Sequence, residues 1–239
     1  MAGHSKWANI KHRKAAQDAK RGRLYTRLLR EITVAAREGP DSSRLKLAIA
    51  KANSENVPKD TIDRAVSRGA GGGDGVELHE IIYEGYGPGG VAVIVECTTD
   101  NRNRTVAEVR NAFSKNGGSM GTDGSVSYMF QTLGLIAVAQ GVDEDRLMDL
   151  ALEAGAEDIE IDTDGGFRVL APPAEVEAVH QALVEAGMEC ATPEVVRLSE
   201  TQVELEGGFV EKVERLLSSL EDLDDTQNVY SNAIFPDAD

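Results

Sequence analysis

Four cations at three- and four-residue spacing, Lys20, Arg23, Arg27 and Arg30, are the first residues in this chain whose types and pattern suggest chemistry. At 100° per residue, counted from Lys20, they fall within a sector of about 280° to 360°. Leu24, Leu28, Leu29, Ile32, Ala35 and Ala36 fall between about 40° and 180° on the same helix. One face is therefore core, and the other is a cationic stripe spaced to meet phosphates. An ordinary solvated helix face is the alternative. The absence of an acid on the stripe itself favours anion binding. Ahead of it, Lys6, Lys11, Arg13 and Lys14 surround Trp7, Ile10 and His12 in a stretch without apolar period. Trp7 can stack on a base or anchor this tail to its own domain.

The charge distribution gives these residues their context. Residues 1–30 hold nine Lys and Arg against one acid, a net of +8, in a chain whose total is -16. Residues 1–75 hold sixteen cations and eight acids, again +8, and residues 76–239 hold nine and thirty-three, or -24. A basic head on an acidic body calls for an anionic partner at the head, nucleic acid first.

Other chemistry is thinly represented. The histidines His4, His12, His79 and His180 are scattered, and none has a partner at metal or triad spacing. No Gly-x-Ser-x-Gly, Walker loop or dinucleotide fingerprint occurs. Neither an enzyme nor a bound metal or cofactor is expected. Glu221, Asp222, Asp224 and Asp225 form the densest acidic cluster, read as a solvated turn rather than a divalent-metal site. Cys97 and Cys190 lie in strand-like segments without CxxC, so reduced thiols in a cytoplasmic protein are expected. The longest apolar runs, 91–95 and 133–139, are too short for a bilayer. The cations of the tail interrupt any secretory h-region, and its shortage of serine argues against a transit peptide.

The elements that must position these residues follow from pattern. A helix is predicted over 15–38, ended by Gly39-Pro40. A second, capped by Asp41 or Ser42, runs to about 53, and a third starts at Pro58 and stops at Gly69. Arg44, Lys46, Lys51, Lys59, Arg64 and Arg68 extend the positive surface of this three-helix bundle. Residues 69–75 read as a flexible linker. Strands are predicted at 78–84 and 91–98, joined by a glycine turn, and a helix follows from Asn101 or Asn103 as cap. Arg102 and Arg104 at its start could hold a second phosphate beside free helix N–H groups, or pair with the acids of the body. Another strand is predicted at 126–130.

Residues 133–198 carry an internal echo. Glu153-Ala154-Gly155-Ala156-Glu157 returns thirty-two residues later as Glu185-Ala186-Gly187-Met188-Glu189. Strands at 133–139 and 166–171 and helices at 143–154 and 173–186 make two strand-helix-strand units, the ferredoxin-like pattern. A last helix at 207–221 and a strand from Val229 would complete the unit begun at 78–130. The expected architecture is α+β and multidomain: an N-terminal three-helix bundle at 1–75, a discontinuous α/β domain at 76–131 plus 206–239, and a ferredoxin-like domain at 132–205 inserted in it.

Several motifs carry a resemblance. Gly3-His4-Ser5-Lys6-Trp7-Ala8-Asn9-Ile10-Lys11-His12-Arg13-Lys14, Tyr83-Glu84-Gly85-Tyr86-Gly87-Pro88-Gly89-Gly90, Thr99-Asp100-Asn101-Arg102-Asn103-Arg104-Thr105 and Val229-Tyr230-Ser231-Asn232 are similar to the YebC/PmpR family. That family also includes the mitochondrial translational activator of cytochrome c oxidase. The chain departs at Tyr128, where the family pattern more often has Trp. The resemblance implies three domains and a cytoplasmic regulator of gene expression. Bacterial relatives are labelled probable DNA-binding transcriptional regulators, and others resemble ribosome-associated translation factors. The expected partner is accordingly nucleic acid, either DNA or ribosomal RNA and the ribosome, with no membrane, and with a protein partner on the acidic domains.

Overall fold

A computed structural model describes residues 21–71, 77–162 and 165–236. Among the described residues, three helices come first. Helix α1 (Arg21–Ala35) runs into a 3-10 turn (Ala36–Glu38) that ends at Gly39, whose φ of 115° is open to glycine. Helix α2 (Ser43–Ser54) starts where the Ser42 side chain accepts the Leu45 N–H, and α3 (Lys59–Gly69) starts after Pro58. Leu28, Ile32 and Ala35 of α1 meet Leu45, Ala48 and Ala52 of α2 and Ile62 and Ala65 of α3 in one core. Gly69 does not simply stop α3. A Cβ there would lie 2.2 Å from the Thr33 carbonyl oxygen and 2.7 Å from the Ala36 Cβ, so glycine allows α3 to press on α1.

The strands of the first sheet are β1 (His79–Tyr86), β2 (Ala92–Thr99), β3 (Ser119–Met120) and β9 (Thr226–Ser231). Their order is β3-β1-β2-β9, all neighbours antiparallel. Helices α4 (Arg102–Lys115) and α7 (Gly208–Glu221) bury Val109, Phe113, Val213, Leu216 and Leu217 with Val93 and Val95 of β2. The chain thus leaves this sheet after β3 and returns about a hundred residues later to pair β9 with β2.

Between those visits lie β4 (Phe130–Val138), α5 (Glu144–Glu153), β5 (Asp158–Ile161), β6 (Phe167–Ala171), α6 (Val176–Glu185) and β7 (Glu194–Ser199). Their sheet order is β5-β6-β4-β7. Each strand-helix-strand unit leaves one gap between its strands, and the other unit fills it, which is the split βαβ arrangement. Leu147, Ala151, Val179 and Leu183 close the core over Ile136 and Val169. A short parallel pair, β8 (Val203–Glu204) and β10 (Ala233–Ile234), follows the same return path. The molecule is an α+β protein.

One expected strand is absent. Residues 126–130 form a 3-10 turn, Ser127–Met129, and the strand begins only at Phe130. The cause is Glu84, 6% exposed, which accepts N–H bonds from Gly124 (2.8 Å), Val126 (2.7 Å) and Ser127 (2.8 Å). A buried carboxylate satisfies donors that a ladder would otherwise take. Burial pushes its pKa up, but the backbone bonds outweigh that and hold it below the usual range.

Candidate nucleic-acid interface

The geometry of α1 follows from its two faces. Its apolar face is fixed against α2 and α3, so Arg23, Arg27 and Arg30 must point the other way. They meet the C-terminus of α7 and the turn after it. Arg23 Nη1 donates to the Asp222 carbonyl (3.0 Å) and to Asp222 Oδ1 (3.2 Å), and its Nε lies 4.0 Å from Asp224 Oδ1. Arg27 Nη2 donates to the Glu221 carbonyl. Arg30 Nη1 donates to the carbonyls of Asp224 (2.6 Å) and Thr98 (3.3 Å) and sits 3.1 Å from Asp225 Oδ1. The Glu221 and Asp222 carbonyls are at the negative end of the α7 dipole, where cations are favoured. The stripe has no acid of its own, and the fold supplies them from nearly two hundred residues away. Its reading as an unneutralised face is corrected by this contact.

Asp225 is the centre of the contact. Its side chain is 1% exposed. It accepts from Arg104 Nη2 (2.7 Å), Thr105 Oγ1 (2.8 Å) and Thr99 Oγ1 (2.9 Å). Burial would raise its pKa, but the bonds from Arg104, Thr105 and Thr99 lower it below the ordinary carboxylate value. The expected solvated turn is therefore solvated only in part: Asp222 and Asp224 are exposed, whereas Asp225 is interior. Burial lowers the Arg27 pKa despite the attraction of Glu221.

Arg104 also pairs with Asp100 (2.8 Å), and its N–H is capped by Asn101. Of the two readings for this arginine, the structure shows pairing with the acids of the body. Arg102 Nη2 lies 3.4 Å from His79 Nδ1. Lys6, Trp7, Lys11, His12, Arg13, Lys14 and Lys20 lie outside the described residues.

Beside these, Arg37 donates to the Leu78 carbonyl (2.8 Å), and six further cations of the bundle divide into two groups. Arg44 reaches Glu31 (2.8 Å), Glu38 (3.1 Å) and Glu80, and Lys51 lies 3.6 Å from Glu194. Leu47 packs against the core of the second sheet's layer. These contacts dock the bundle onto both sheets. Lys46, Lys59, Arg64 and Arg68 are exposed on α2 and α3. Arg64 pairs with Asp60 four residues earlier, both side chains mostly exposed. Lys46, Lys59 and Arg68 make no ion pair with a described residue. This outward group makes no ion pair with a described acid of the body, whereas Arg23, although exposed, pairs with Asp222.

Other chemistry finds no constellation among the described residues. No group of three His, Cys, Asp or Glu there could hold a metal. Cys97 and Cys190 are free thiols, and burial pushes Cys97 up to about 12, so it is not a thiolate at neutral pH. No helix there is long and apolar enough to cross a membrane.

The fold and surface thus define an α+β protein with a cationic helical unit docked on an acidic body. Residues 5–72 match the TACO1/YebC protein N-terminal domain, and residues 78–233 match the TACO1/YebC second and third domain. The chain belongs to the TACO1/YebC family. It is 57% identical to a probable transcriptional regulatory protein of Francisella tularensis over 98% of this chain and 96% of that one. The same figures hold for a probable transcriptional regulatory protein of Francisella philomiragia. A crystal structure of a conserved hypothetical protein from Aquifex aeolicus superposes with a TM-score of 0.86, at 42% identity, over 98% of each chain.

Proposed function

We propose that this protein is a nucleic-acid-binding regulator of transcription, acting on DNA in the cytoplasm without catalysis or cofactor. The contact surface is the outward face of α2 and α3 with the basic tail ahead of α1. The observation that carries this reading is the division of the cations. Arg23, Arg27, Arg30, Arg44, Lys51 and Arg104 have acidic or carbonyl partners within the chain. Lys46, Lys59 and Arg68, with Arg64 paired to Asp60 on its own helix, face solvent on a unit whose net charge opposes that of the body. Phosphate contacts of this kind position a protein on a duplex without reading bases. The names of the Francisella relatives support a transcriptional role.

Replacing Lys46, Lys59, Arg64 and Arg68 together by Ala should weaken binding to a short mixed-sequence duplex by at least about a hundredfold at low salt. Fluorescence anisotropy with the full chain measures this, and unchanged affinity would refute the surface. Crosslinking in cells, followed by sequencing of the bound nucleic acid, tests the target. Promoter DNA is expected, and ribosomal RNA at one defined site would replace DNA as the target.

A further inference from the structure

A cleft of about 250 Å³ lies where α1 meets the turn after α7. Its walls include Arg23, Arg27, Arg30, Thr26, Leu223 and Asp224. Three guanidinium groups on one small cavity are an excess of donors over acceptors. The hydrogen bonds formed there use Nη1 of Arg23, Nη2 of Arg27 and Nη1 of Arg30. Nε and Nη1 of Arg27, Nε and Nη2 of Arg30 and Nη2 of Arg23 make no hydrogen bond to a described residue. Arg27 is distinctive in a second way. It is partly buried and attracted by Glu221, Asp222 and Asp224, yet it forms no ion pair within 4 Å with a described carboxylate, and its hydrogen bond goes to a neutral carbonyl. A guanidinium removed from water gains most from an anion that accepts through several oxygens at once. Thr26 adds a hydroxyl, although it already donates to the Gly22 carbonyl at 3.1 Å and so offers its lone pairs rather than its proton. Asp224 is the carboxylate on the wall, 83% exposed and 4.0 Å from Arg23 Nε.

From the cavity, the unused donors and an Arg27 whose hydrogen bond goes to a carbonyl rather than a carboxylate, we infer that this cleft is a binding subsite for a phosphate group. The source that fits a nucleic-acid-binding chain is a backbone phosphate, and in that respect the inference rests on the proposed function. The chemistry of the cleft is shared with a free phosphate or diphosphate, and the two sources separate by experiment. The site would also explain why a face docked on the body stays so rich in arginine. Docking alone uses fewer than half of the N–H groups that these three residues carry.

The test is calorimetric titration of the full chain with inorganic pyrophosphate at constant ionic strength. Saturable binding is expected, weakened about tenfold by Arg27→Gln, which removes a charged donor. Asp224→Asn should tighten it about threefold by removing the opposing charge. Because Asp224 is at the surface, that variant reports even if Arg27→Gln is misfolded by circular dichroism. Absence of saturable binding, or affinities equal in wild type and Asp224→Asn, overturns the subsite. A parallel titration with a short oligonucleotide identifies the source. Weakening by Arg27→Gln in both titrations supports backbone phosphate, and weakening with pyrophosphate alone supports the cleft with a free phosphate as its ligand. If no variant binds the oligonucleotide, the proposed function fails while the pyrophosphate result still decides the cleft.

Discussion

Asp225 shows how much one side chain can organise. It joins α1 through Arg30, the start of α4 through Arg104 and Thr105, and β2 through Thr99. Removing one member of such a buried set leaves the others uncompensated. Asp225→Asn should cost about 2–3 kcal/mol of unfolding free energy in urea, less than for a wholly interior pair because Arg104 is half exposed. The depressed pKa fixes the pH behaviour. The contribution is complete above the unfolded carboxylate value of about 4 and is lost as pH falls through the lower folded value. Wild-type stability should drop more steeply with acid in that window than the variant's, and parallel acid profiles would refute the ionised hub. Glu84, also depressed, acts on a smaller unit. Glu84→Gln should speed hydrogen exchange at Gly124, Val126 and Ser127 before the core is affected, because those N–H groups lose a charged acceptor. Unchanged exchange there would mean that the turn holds itself.

At the scale of elements, periodicity was a good guide where a helix or strand buries a face of its own. The seven α-helices among the described residues, and the strands that pair along their length, lie close to where apolar spacing places them, and of the paired cap candidates Ser42 and Asn101 are the ones used. It failed at 126–130, where alternation suggests a strand but a carboxylate forty residues away takes the donors. Nor could it show what α1 rests on. The partners of Arg23, Arg27 and Arg30 are carbonyls and acids near the other end of the chain, and carbonyls leave no trace in a residue pattern. The two densest charge clusters, basic at 20–30 and acidic at 221–225, were the one available hint. Gly69 stands at a helix end, where pattern alone makes it a stop, while its reason is contact with α1. Gly69→Ala should therefore lower stability by about 1–3 kcal/mol through overpacking, despite the better helix propensity of alanine. A thermal melt of the variant decides this, and a raised Tm would return Gly69 to a simple stop.

For the whole molecule, the charge segregation seen in the sequence acquires a direction. The acidic body neutralises the inward cations of the bundle and leaves an outward set on α2 and α3. A surface of that kind binds polyanions with a strength that falls with salt, because each phosphate contact releases counterions. The most direct test of the central claim is the affinity of the full chain for duplex DNA across a salt series. Log affinity should fall against log salt with a slope of about 0.9 per phosphate contacted. The slope should be reduced by the joint replacement of Lys46, Lys59, Arg64 and Arg68. An affinity independent of salt, or a slope unchanged in that variant, would contradict the account.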